Sequence, residues 1–142
     1  LKTIVVDASV AIKWFIPEIY DTDALHLFKK KLRFIAPDLI FAEVTNILWK
    51  KNRLKELSLE AATNILNDFK KMPIDSYESE FLLDTAWQIA TAYQCTVYDS
   101  LYVALAKTKE CIFVTADKTL YNNLHKTTLA HSLLWIENIK NI

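Results

Sequence analysis

Four acidic residues occupy positions at which a carboxylate can do chemistry. Asp7 ends the run Thr3-Ile-Val-Val-Asp-Ala-Ser9. Ile4, Val5 and Val6 read as a strand buried on both faces, and Ser9 to Phe15 reads as a helix, so an acid is held where strand hands over to helix. Asp117 sits in a similar place, after the strand Cys111 to Thr115 and before the helical Lys118 to Leu124. In open α/β sheets that edge is where ligands bind. Asp99 opens Tyr98-Asp-Ser-Leu-Tyr-Val-Ala-Leu-Ala106, a helix apolar around most of its circumference, so an acid in its first turn points into the protein. Glu43 lies inside a further helix beside the apolar stripe of Ile40, Val44 and Ile47, and its helical neighbours Leu39, Ile40, Asn46 and Ile47 offer no cation.

Each acid also has a plain structural explanation. Asp7, Asp99 and Asp117 stand at or just before a helix start, where aspartate is a favoured N-cap. Glu43 has no such local role, and a glutamate turned toward a core needs a partner. Carboxylates that converge without matching cations repel one another, and a divalent metal is the simplest relief. Oxygen-only ligands suit Mg²⁺ or Mn²⁺ rather than zinc. The constellation is a stronger signal than any member.

The elements that must position these acids follow in order. After the first strand and its short helix, stopped by Pro17, a helix is expected over Asp21 to Lys31, and a very short strand at Phe34-Ile35-Ala36. Asp38 then caps a helix from Leu39 to about Lys51. Ser58 opens another, with Ala62, Ile65, Leu66 and Phe69 as its stripe. Pro73-Ile74-Asp75 reads as a brief extended link, Ser79 to Tyr93 as a long helix, Thr96 to Lys107 as the next, and Ser132 to Trp135 as a last strand. Helices alternating with short apolar strands, and no hairpin signal, give an α/β fold: a three-layer α/β/α sandwich with a short-stranded, mostly parallel sheet. Residues 1–142 form one domain on this reading.

Composition removes several function classes. There is no glycine among the 142 residues, so neither a Walker-A loop nor a GxGxxG dinucleotide turn exists here. The charge is balanced, 17 basic against 17 acidic side chains, so a nucleic-acid partner would need a local basic patch. No apolar run approaches the roughly 20 residues of a membrane span, and the N-terminus lacks a signal-peptide design; a cytoplasmic protein with no membrane partner is expected. Cys95 and Cys111 read as buried free thiols, and His26, His125 and His131 as surface or structural residues. The aromatic residues read mainly as core, with Trp14, Phe15 and Trp49 as candidates for a partner surface.

The order of these motifs resembles the PIN domain family, specifically the small VapC-type toxins. The resemblance spans nearly the whole chain: Val-Val-Asp7-Ala-Ser9, Ala36-Pro37-Asp38 leading to Glu43-Val-Thr-Asn46, Tyr98-Asp99-Ser-Leu-Tyr-Val-Ala-Leu-Ala106, and Phe113-Val-Thr115-Ala-Asp117-Lys-Thr-Leu120. It implies an endoribonuclease dependent on Mg²⁺ or Mn²⁺, with an antitoxin partner and a homodimeric state. Asp7, Glu43, Asp99 and Asp117 would then be the catalytic, metal-binding acids. Ser9 and Thr115 would be supporting hydroxyls, and Asn46 a polar neighbour of the glutamate. Lys13, Lys50, Lys107 and Lys118 are the candidates to flank the site and hold RNA phosphates, with Lys51 and Arg53 nearby.

Rival classes fit less well. A phosphatase acting through an aspartate nucleophile wants a second aspartate two residues after the first, where Ser9 stands. A receiver-type phosphoacceptor wants an adjacent acidic pair, and Val6 precedes Asp7. A PIN-like module that binds without cutting would tolerate loss of the acids, yet all four are present. RNA-processing PIN nucleases that work without an antitoxin remain the nearest alternative.

Overall fold

The computed structural model describes all 142 residues, Leu1–Ile142. Its centre is a five-stranded sheet built from β1 (Lys2–Val6), β2 (Leu32–Pro37), β3 (Ile74–Tyr77), β4 (Ile112–Thr115) and β5 (Leu133–Trp135). The strand order is β3-β2-β1-β4-β5, and every neighbouring pair is parallel. β1 is central and its Ile4, Val5 and Val6 are fully buried, which is why it reads as an unbroken β-branched run rather than an alternation.

Seven α-helices connect the strands: α1 (Ala8–Ala11), α2 (Asp21–His26), α3 (Leu39–Arg53), α4 (Leu59–Phe69), α5 (Leu83–Tyr93), α6 (Val97–Thr108) and α7 (Lys118–Leu124). Helices α1 to α4 pack among themselves, and α5 packs on α6. Right-handed crossovers put these groups on opposite faces of the sheet, because the path runs from β1 out to β3 and then returns past β1 to β4. The strand order therefore reverses between β1 and β4, and the C-terminal ends of those two strands form the switch point at which such sheets bind ligands.

Several expected elements take other bounds. The link at Ile74 is a true edge strand, β3, paired with β2 from Phe34↔Ile74 to Pro37↔Tyr77. Its half-exposed edge position hid it, since Asp75 and Ser76 need no burial there. The helix expected from Ser9 to Phe15 is the short α1 followed by a 3₁₀ turn, Ile12–Trp14. Likewise α2 tightens into a 3₁₀ turn at Leu27–Lys29, and Ser79–Leu82 is a 3₁₀ turn leading into α5. Asp38 does not cap its own helix: its carboxylate accepts from the Ser79 amide (3.2 Å) and hydroxyl (2.5 Å), tying β2 to the start of the α5 segment. Trp14 and Phe15 are taken up by packing, Trp14 against Phe28 and Phe34 and Phe15 against Phe69, while Trp49 stays 56% exposed. The two cysteines are free but only partly buried.

Without glycine, left-handed backbone falls to residues that pay sterically for it. Gln94 (φ 54°) and Glu110 (φ 52°) take it directly after α5 and α6. At Glu110 the turn closes with the Cys111 amide donating to the Ala106 carbonyl at 2.9 Å, the six-to-one bond that usually accompanies a glycine. A Cβ disfavours this conformation by about 1–2 kcal/mol, partly offset because glycine loses more entropy on folding. Gln94→Gly and Glu110→Gly are therefore each expected to raise stability by roughly 0.5–1 kcal/mol in urea unfolding. A loss of stability in both would show that the side chains themselves hold these turns.

Candidate active site

The site is assembled at the switch point. Asp7 leaves β1, and its amide still donates to the Val114 carbonyl of β4 at 3.1 Å, so the two strand ends are locked side by side. Asp7 occupies the N-cap position of α1 without making a capping bond. Its Oδ2 instead accepts from the Ser9 hydroxyl at 2.8 Å and the Thr115 hydroxyl at 2.7 Å. Those hydroxyls accept in turn from the Ala116 and Asp117 amides, both at 3.0 Å. Because each amide can only donate, each hydroxyl must spend its single proton on Asp7. Oδ2 is thereby saturated, and no hydrogen bond occupies Oδ1.

The other acids approach from separate elements. Asp117 caps α7, its Oδ1 accepting from the Leu120 amide at 3.1 Å. Asp99 is not the cap of α6; Thr96 is, accepting from the Asp99 amide at 3.1 Å, which leaves the Asp99 carboxylate in the first turn. Glu43 projects from the second turn of α3 and accepts a 2.5 Å hydrogen bond from the Tyr102 hydroxyl of α6. Capping thus explains one of the three aspartates and one oxygen of that residue.

Burial and neighbouring negative charge act together on Asp7, Glu43 and Asp99. Burial pushes the Asp7 carboxyl up to about 7, with the Glu43 and Asp99 charges raising it further and the Thr115 and Ser9 hydroxyls pulling it down. Glu43 is raised by burial and by the charges of Asp99 and Asp117; Asp99 is raised by burial and by Asp117. None of the four takes part in an ion pair. An open cleft of about 430 Å³ is lined by Glu43, Asn46, Thr96, Tyr98 and Asp99.

The family model for the PIN domain matches residues 4–123, the stretch that carries all four acids and the strands they end. The chain belongs to the PIN domain family. Within it the chain is of the VapC type: it is 35% identical over 121 residues to ribonuclease VapC3 of Pyrobaculum aerophilum, covering 82% of this chain and 91% of that one. A VapC ribonuclease of Mycobacterium bovis is 29% identical over 117 residues, covering 82% and 87%. The crystal structure of PAE2754 from Pyrobaculum aerophilum superposes with a TM-score of 0.71 at 23% identity, over 97% of this chain and 92% of the other, which establishes the same fold.

In this PIN domain the donors suit a hard divalent cation. They are carboxylate oxygens, with no histidine or cysteine among them, and a buried carboxylate whose neighbouring charges are all negative has an unmet need for positive charge. No three His, Cys, Asp or Glu side chains close on a common point as a ready-made cage. Mg²⁺ does not need one, since it keeps several waters and is held by one or two carboxylates together with substrate phosphates.

The sequence-predicted cations divide. Lys118 is exposed beside Asp117, and Lys50 is exposed one turn beyond Asn46 on α3. Lys13 is buried and bound to Glu18 at 2.8 Å. Lys107 is removed from the site. It lines a cavity of about 830 Å³ with Lys2, Thr3 and Cys111, at the N-terminal ends of β1 and β4. Helix α6 runs antiparallel to the strands, so its first turn carries Asp99 to one sheet edge and its last turn carries Lys107 to the other.

Tyr102 is the partner of Glu43 that sequence reasoning missed. It is 1% exposed, stacks on Phe113 with ring centroids 5.4 Å apart, and fixes Glu43. Burial and the Asp7 and Glu43 charges hold its phenol far above its ordinary range, so it remains a donor at every working pH. Its place three residues after Asp99, on the same helix face, was the available signal. Tyr102→Phe should keep the packing but free Glu43. A roughly tenfold loss of Mn²⁺ affinity is expected by water-proton relaxation, as for other partners that orient a ligand. Unchanged affinity would leave Tyr102 a core residue only.

Proposed function

We propose that this chain is a divalent-metal-dependent endoribonuclease, the toxin of a type II toxin–antitoxin pair. The observation that carries the reading is Asp7: a buried carboxylate with one oxygen saturated by Ser9 and Thr115, within reach of the Glu43 and Asp99 charges, and with no protein cation to balance it. A fold that keeps this arrangement at its switch point bears an electrostatic penalty that a divalent cation would relieve, and the bound cation could then attract a phosphodiester.

In this reading Asp7, Glu43, Asp99 and Asp117 hold Mg²⁺ or Mn²⁺, which when bound would supply positive charge against phosphoryl oxygens and make a nearby water more acidic. Ser9 and Thr115 hold the Asp7 carboxylate through Oδ2 and leave Oδ1 without a hydrogen bond. Tyr102 holds Glu43 by its hydroxyl. Asn46 lines the same cleft as Glu43 and would donate to a ribose or phosphate oxygen. Exposed Lys50, one turn beyond Asn46, and Lys118, next to Asp117, would be the contacts for phosphates of a bound strand.

The relatives support the substrate and partner. The two relatives described above are named as VapC ribonucleases, and a Klebsiella pneumoniae toxin–antitoxin complex shares the fold with a TM-score of 0.64 at 8% identity, over 92% of this chain and 95% of the other. An antitoxin or a second copy of the chain would cover the exposed Phe41 and Trp49 of α3. No helix is long and apolar enough to cross a membrane, in keeping with work on RNA in the cytoplasm. The test is cleavage of RNA by the purified chain: products formed with Mg²⁺ or Mn²⁺, none after chelation, and recovery on adding the metal back. Cleavage that survives chelation would overturn the metal reading.

A further inference from the structure

A strand of RNA needs cations that a chain of zero net charge must concentrate locally. A second hollow of about 630 Å³ lies beside the acid-lined cleft, with Asn46 and Ile47 lining both. Ser9, the hydroxyl that holds Asp7, lines this second hollow together with Lys13, Glu18, Lys50 and Lys51. The hollow therefore borders the site through Ser9 and the Asn46–Ile47 wall, and it gathers three lysines along with Glu18 and Glu56.

Its ion pairs are unequal. The Lys13 ammonium is 8% exposed and lies 2.8 Å from Glu18 Oε1. Lys51, 22% exposed, lies 3.5 Å from Glu18 Oε2 and 3.4 Å from Glu56. Lys50 is exposed and has no ionic partner. Lys13 cannot leave Glu18 without stranding a buried charge, whereas the longer, solvated contacts of Lys51 are exchangeable. A carboxylate pinned on one side by a buried lysine and presenting its other oxygen to a loosely held lysine does what a phosphate oxygen does.

We propose that this hollow is the subsite for the phosphate next to the cleaved bond, with Glu18 filling it as an internal anion that the RNA phosphate displaces from Lys51. Lys50 and Lys51 are then the phosphate contacts. Lys13 is a positioning residue that holds Glu18 and does not touch RNA. This rests on the reading that RNA is the substrate.

The experiment is equilibrium binding of a fluorescent, mixed-sequence single-stranded RNA to the cleavage-deficient Asp99→Asn protein, with KCl varied and Mg²⁺ constant. Lys50→Gln and Lys51→Gln should each weaken binding about fivefold and make the log–log salt slope shallower by about 0.7, the value for one lost single-strand phosphate contact. Removing the buried pair together, as Lys13→Met with Glu18→Gln, avoids stranding either charge and should tighten binding about threefold by freeing Lys51. Unchanged affinity and slope in both single lysine variants, or no tightening in a folded double variant, would overturn the subsite. If the wild type fails to cut RNA while the lysine variants still change the slope, the hollow stands as an RNA-phosphate site, and its assignment beside a cleaved bond falls with the nuclease reading. Intact cleavage with inert lysines overturns the subsite alone, and absence of RNA binding overturns both.

Discussion

Asp99→Asn is expected to lower RNA cleavage by about a thousandfold, equivalent to ~4 kcal/mol of lost transition-state stabilisation, while leaving the fold intact. The structural role in that turn belongs to the Thr96 hydroxyl and the Asp99 backbone amide, both of which the substitution keeps. The carboxylate is half-buried, and burial together with the Asp117 charge works against its ionisation. Replacing it with an isosteric neutral amide removes a repulsion and no contact of comparable weight. Overlaid thermal melts with cleavage lost would assign the residue to the chemistry. Full cleavage by a folded Asp99→Asn protein would dismantle the four-acid site. Asp117→Asn makes a useful companion, because an amide oxygen can still cap α7; it too should lose cleavage without losing the helix.

The second large effect concerns stability in the absence of metal. Asp7 has a folded value of about 7 against an ordinary 3.8, chiefly through burial. Between those limits the folded protein holds a proton that the unfolded chain has released. Stability of the metal-free protein must therefore fall as pH rises from about 4 to about 7, and the full penalty is present above that window. That displacement corresponds to ~4 kcal/mol at most. Asp7→Asn has no proton to lose, so its metal-free stability at pH 8 should exceed that of the wild type by a few kcal/mol and vary less across the window. Mn²⁺ should then stabilise the wild type at pH 8 through its preference for the folded state and do little for Asp7→Asn. Urea unfolding at pH 5 and pH 8, with and without Mn²⁺, measures all four quantities. A wild type no less stable at pH 8 than at pH 5 would mean that Asp7 is better solvated than its 8% exposure indicates.

Much of this protein was legible in its sequence because local chemistry decided it. The β-branched run before Asp7 can only be a buried strand, and the same handover at Thr115-Ala116-Asp117 puts a second acid at a strand end. The apolar circumference of Ser100 to Ala106 marks a buried helix, and all seven of those residues are buried. With parallel strands, these facts place Asp7, Asp99 and Asp117 near one sheet edge, and the motif order is enough to bring the PIN family into view.

What the sequence left open were questions of direction and partnership across long separations. Whether an aspartate at a helix start caps that helix depends on where its side chain turns. Asp117 turns back onto α7, Asp7 turns toward Thr115, 108 residues away, and Asp38 reaches across 41 residues to Ser79. The partner of Glu43 was invisible for the same reason, since Tyr102 is 59 residues away and meets it only when α3 and α6 approach over the sheet edge. Lys107 looked like a neighbour of Asp99 in sequence, but the rise of an α-helix carries residues eight apart about 12 Å along the axis, and α6 spans the sheet from one edge to the other. Local propensity and burial periodicity are properties of a segment, so the segment alone determined them. Which acid is free, which is bonded and which lysine shares their edge are relations between segments, and only tertiary packing decided those.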